Sequence, residues 1–252
     1  MKAWKKALRF ALCLLPVGLA GGWFTAEMSL SGMDASLLET ALEQAGSLEI
    51  MKAVTTAQSV LYAVVCGFFG YILAEKTGLM RPFRVQNPPL ARVILVSAAG
   101  AALYSLDAWT FARWIPQLQA SYETASTFDA GVWIASVLYG GVIEEVMIRL
   151  FLMSGLALIG WKLFFRKEAA VPNRVLIAAN LLSALAFAAG HLPATAASLG
   201  GLTLLLVLRC FLMNGAAGLL FGRFYRKYGI QYAMLAHMLF HLISRAIWLI
   251  AL

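Results

Sequence analysis

Glu144, Glu145 and Arg149 lie inside an apolar stretch, 131–160, that is long enough to cross a bilayer. An ionisable side chain at that depth costs about 3 kcal/mol or more unless it is paired or wetted, so each is a candidate functional residue. Glu145 and Arg149 are four residues apart with the acid first, which lets them pair on one face of a helix. On a 3.6-residue helix Glu144 is rotated by about 100° from its neighbour. One carboxylate held by arginine and a second left free is what a general base and its support need. An ion cluster that only fixes helix packing is the competing reading. Gly140 and Gly141, one turn earlier, would let a second helix or a substrate backbone come close.

The chain has three histidines, and all fall in or at the edge of apolar segments. His191 precedes Leu192-Pro193, so it is expected at a helix end, either as an interfacial residue or as part of a site. His237 and His241 share one helical face, a spacing that suits a common reacting group or metal ion. Arg245 continues that face, so a polar stripe binding neighbouring helices is the alternative. Asn214, Gly218 and Gly222 repeat every four residues. They are expected to pack helices closely, with Asn214 bonding across a helix pair.

The elements that must position these groups follow from composition. The 252 residues are 62% hydrophobic and 13% charged, about half the charge of a soluble domain. The solvent for most of this surface is therefore lipid. Seven apolar runs of bilayer length are legible: 7–26, 53–75, 92–110, 130–160, 174–192, 199–222 and 230–250. The expected fold is all-α, a multi-pass transmembrane helical bundle of about seven spans forming one domain over 1–252. With the N-terminus in the cytoplasm, 15 of the 20 Lys and Arg residues fall on the cytoplasmic side. The positive-inside rule thus points to N-in and C-out. The net charge of +8 is split among these clusters, which argues against nucleic acid as a partner.

The first span also has the form of a signal peptide, with Gly18-Leu19-Ala20 as a cleavage-like site. The stretch 27–52, with Glu27, Asp34, Glu39, Glu43 and Glu49, reads as an acidic external loop with some helix around 36–45. Cys13, Cys66 and Cys210 fit no metal framework and read as buried packing residues. An integral membrane protein, expected in a bacterial inner membrane, is the simplest account, with lipid and a protein or peptide as partners. The oligomeric state is not legible.

The ordered set Glu144-Glu145-x-x-x-Arg149, Phe187-x-x-x-His191 and His237-x-x-x-His241 resembles the CPBP intramembrane proteases, an Rce1-like group that includes CAAX prenyl endopeptidases and bacteriocin-processing proteins. The resemblance covers about 131–252; residues 1–130 match only as further spans and the acidic loop. It implies an intramembrane endopeptidase. Glu144 would activate water as general base, with Glu145 as its supporting acid held by Arg149. His191 would help bind the water, and His237 and His241 would stabilise the oxyanion. His241 stands where that family has Asn or Asp. It could substitute functionally, strengthen a metal site or impair the centre. Such proteins are described both as glutamate-type and as metalloproteases. Glu144, His191, His237 and His241 are the ligands a Zn²⁺ would use if one is needed. Two other functions remain on the residues alone: a non-enzymatic membrane binding or immunity factor, and an ion-coupled transporter. A transporter would spread its polar groups along a path, whereas these gather in the second half of the chain.

Overall fold

A computed structural model describes residues 2–252. Backbone polar groups in hydrocarbon must be satisfied within their own segment, and the chain does this with helices throughout. The elements are α1 (Ala3–Ser31), α2 (Ala35–Ala45), α3 (Leu48–Thr77), α4 (Pro89–Ser105), α5 (Pro116–Ala125), α6 (Ala130–Ala135), α7 (Ser154–Phe164), α8 (Asn173–Gly190), α9 (Leu192–Leu199), α10 (Leu204–Tyr228) and α11 (Ile230–Ala251). Two π-helical stretches, Ser136–Glu144 and Val146–Met153, join α6 to α7 in one run of helix. Six helical segments are long and apolar enough to cross a membrane. The run from α6 to α7 is the seventh crossing, and it carries both glutamates.

Local chemistry sets the ends. Asp34 caps α2 by accepting from the Ser36 and Leu37 amides, and the bonds from Ser36 hold its carboxyl below the usual range. Ser47 caps α3 through the Ile50 amide, and Gly78 ends that helix in the left-handed region at φ 73°. Asp129 caps α6 and Thr203 caps α10.

Small residues let the spans approach. A Cβ on Gly22 would lie 2.9 Å from the Thr56 Cα, which binds α1 to α3. A Cβ on Gly222 would overlap the Asn180 amide, which binds α10 to α8. The glycine repeat on α10 therefore packs helices within one chain. Ile143, Val146, Leu150 and Met153 form the centre of the core with Leu14, Ala179, Tyr225 and Ile230 around them. Leu12, Leu61, Leu95, Leu103, Leu208 and Leu212 point outward, as a surface solvated by lipid requires.

Three expectations change. The stretch 27–52 is mostly helix: α1 runs to Ser31, α3 starts at Leu48, and Lys52 pairs with Glu27 at 3.0 Å between them. Only Cys210 is buried; Cys66 is half-buried and Cys13 faces outward. The third span runs from Pro89 to Arg113 and contains the expected 92–110; its last part is 3₁₀ helix, Leu106–Trp109 and Phe111–Arg113. The sixth begins at Leu204, because residues 192–199 form α9. The cleavage-like Gly18-Leu19-Ala20 lies mid-helix in α1, with Gly18 packed on Ala63.

Candidate active site

Glu145 and Arg149 are completely buried on the π-helical run. Arg149 Nε lies 3.4 Å from Glu145 Oε2, and Arg149 Nη2 donates to the Gly218 carbonyl of α10 at 3.1 Å. The guanidinium sits over the rings of Phe187, at 4.8 Å, and Phe221, at 5.6 Å. Arginine is the cation best suited to this, since its planar group bonds and stacks at once. The other carboxylate oxygen, Glu145 Oε1, is 2.9 Å from His237 Nδ1 of α11. Glu145 thus links the cation on its own helix to the imidazole on the last one.

That contact turns the other ring nitrogen of His237 toward Glu144, with Nε2 3.9 Å from Glu144 Oε2. The Glu144 side chain is 21% exposed, against 0% for Glu145. The two adjacent carboxylates therefore differ in kind: one supports the structure, the other is open to a cavity. The His237 ring is stacked between Phe221 at 4.5 Å and His241 at 4.8 Å. His191 is the C-cap residue of α8. Its Nδ1 is 2.8 Å from the Phe187 carbonyl and its ring meets the Phe187 ring edge-on.

One cavity of about 450 Å³ is lined by Glu144, His191, His237 and His241 together. Glu145 and Arg149 lie behind its wall. Gly140 makes room for the imidazoles: a Cβ there would stand 2.7 Å from His241 Nε2 and 3.8 Å from His237 Nε2. Among the described residues no group of three His, Cys, Asp or Glu is placed to hold a metal ion. Glu144, His191, His237 and His241 share the cavity without forming such a group.

Two lining residues, Ser136 and Tyr139, are not singled out by helical period. Ser136, Tyr139 and Asn214 also line the cavity, and Arg245 lines it while its Nε donates to Ser136 Oγ at 2.9 Å. Asn214 was expected to bond across helices; its amide instead meets Cys210 Sγ on its own helix at 3.4 Å. Tyr139 precedes Glu144 by five residues, the bonding interval of a π-helix, which a 3.6-residue period does not bring into line. Away from the cavity, Arg209 binds Asp107 through Nε and Nη2, and the Tyr122 hydroxyl closes on the same carboxylate.

Residues 126–243 match the family described as type II CAAX prenyl endopeptidase Rce1-like. This segment is an Rce1-like domain. The match contains all seven motif residues, from Glu144 to His241, and excludes α1 to α5. In the Rce1-like segment the three motifs come from three different membrane crossings, and their side chains meet only through the bundle. No curated protein and no solved structure matches the chain.

Proposed function

We propose that the protein is an intramembrane endopeptidase in which Glu144 is the general base. The observation that carries this reading is the single cavity that receives Glu144 and all three histidines. The Rce1-like match supports the reaction class. A water held between Glu144 and His191 gives a proton to the Glu144 carboxylate as its oxygen attacks the peptide carbonyl. The tetrahedral oxygen that forms is stabilised by His237 and His241. Collapse breaks the C–N bond, and Glu144 passes its proton to the leaving amine. General base catalysis of this kind contributes about 10²- to 10⁴-fold, and aimed oxyanion donors about 3 kcal/mol.

Glu145 and Arg149 act behind the reacting groups. Their contacts fix the His237 ring, so that its Nε2 faces Glu144. A site held this way spends little energy on reorganisation during the reaction. The His241 ring packs against Gly140, and we place it as an oxyanion donor in its own right.

The substrate is a peptide or protein tail at the bilayer, and an N-in orientation in a bacterial inner membrane fits the basic clusters. Polar groups gathered at one cavity favour a site over a transport path. The test uses the purified protein in lipid nanodiscs with quenched fluorescent CAAX-type peptides, farnesylated and unmodified. Cleavage should occur in the wild type and stop in Glu144→Ala, His191→Ala and His237→Ala, each still folded. Cleavage by all three variants at the wild-type rate overturns the proposal. The two peptide forms report whether the prenyl group is required.

A further inference from the structure

The end of the bundle where α10 finishes and α4 and α11 begin carries a cluster of cations without counterions. Arg92 is in the first turn of α4, and Arg223 and Lys227 are one turn apart near the end of α10. Arg81 belongs to the neighbouring connection. None of these four is in an ion pair among the described residues. Other cations of the same end do find carboxylates: Lys6 meets Glu75 at 3.3 Å and Arg174 meets Glu168 at 3.9 Å. Like charges one turn apart on a helix repel, so Arg223 and Lys227 are held together at a cost. Helix C-termini favour cations, but that effect alone does not call for a groove between two helices.

Such a groove is present. Arg92, Arg223 and Lys227 line it together with Val96, Leu220 and Phe224, and no acidic residue does. Val96 is one turn deeper than Arg92 on α4, and Leu220 is about one turn deeper than Arg223 on α10. Cations therefore stand at the rim and apolar side chains below it. Arg92 Nη1 also donates to the Tyr228 hydroxyl at 3.0 Å, which steadies the rim.

We propose that this groove binds one anionic phospholipid, its phosphate between Arg92, Arg223 and Lys227 and an acyl chain along Val96 and Leu220. A free anion would use the rim and leave the apolar floor unused; a lipid uses both. Basic pockets between membrane helices are suited to anionic headgroups, and each cation near the surface adds about fivefold in affinity. The site is separate from the Glu144 cavity, with which it shares no lining residue.

The test titrates the detergent-purified full chain with phosphatidylglycerol and with phosphatidylcholine, counting bound lipid by native mass spectrometry. The wild type should retain phosphatidylglycerol preferentially. Arg92→Gln/Arg223→Gln/Lys227→Gln should weaken it by about a hundredfold. Lys2→Gln/Lys5→Gln/Arg9→Gln, an equal charge loss at the same end, should leave binding within about threefold. Should the triple variant fail to fold, Arg223→Gln alone should show about a fivefold loss. Equal losses in both triple variants, or no preference between the lipids, overturns the proposal. Displacement of the lipid by equimolar inorganic phosphate overturns it as well, by assigning a bare anion site.

Discussion

Glu145 and His237, separated by 92 positions in the chain, meet through Oε1 and Nδ1 at 2.9 Å. This contact joins the buried cation Arg149 to the imidazole that faces the cavity. It separates the roles of the two adjacent glutamates, because only one of them can turn toward His237 Nδ1.

Glu144 and Glu145 should therefore fail differently. Glu144→Gln should reduce peptide cleavage by at least about 10²-fold and leave thermal unfolding nearly unchanged, since its side chain borders open space. Glu145→Ala should lower stability by about 3–5 kcal/mol, because it strands a buried arginine. Parallel unfolding scans and cleavage assays in detergent check this. Equal stability losses in both variants would contradict the assignment.

Arg149→Ala removes the other half of the same pair and also the bond to the Gly218 carbonyl. It should be destabilising by a similar amount, about 3–5 kcal/mol. Arg149→Lys keeps the charge but loses the planar contact with Phe187 and Phe221, and should recover only part of the loss. Chemical denaturation of the three proteins side by side ranks them.

Gly140→Ala places a methyl 2.7 Å from His241 Nε2. The imidazole must move, and a displacement of that order typically costs about 10²-fold in rate. The fold should survive, because the added atom meets a side chain at a cavity wall. A normal rate with normal stability would show that His241 has no fixed place in the reaction.

His241→Asn asks whether the imidazole is needed at this position. Asparagine keeps a hydrogen-bond donor and draws back from Gly140, so activity within about tenfold of wild type is the expected result. A complete loss of cleavage would assign the imidazole a role that an amide cannot fill.

Asp107→Asn tests the second buried ion cluster. It weakens the partnership with Arg209 and the bond from Tyr122, and should cost about 3 kcal/mol in stability. Asp107 does not line the Glu144 cavity, so cleavage at low temperature should be unchanged. The ratio of the two effects, measured on one preparation, separates support of the bundle from catalysis.

The count of crossings and the residues that need a functional explanation were legible in the chain itself. A bilayer demands about 20 apolar residues per crossing, and that demand is a local sum along the sequence. Glu144, Glu145, Arg149 and the histidines stood out against it as costs that something must offset. Cap residues such as Asp34, and Pro193 just after His191, also act locally, so the end of α8 was readable. The spacing already paired Glu145 with Arg149 and left Glu144 free, but tertiary structure decided that Glu145 also holds His237, an imidazole 92 residues away. It also decided that Asp107 is the counterion of Arg209, and that the glycines of α10 serve contacts inside the chain. Hydropathy adds up residue by residue, whereas pairing and cavity shape arise only when helices distant in sequence pack against one another.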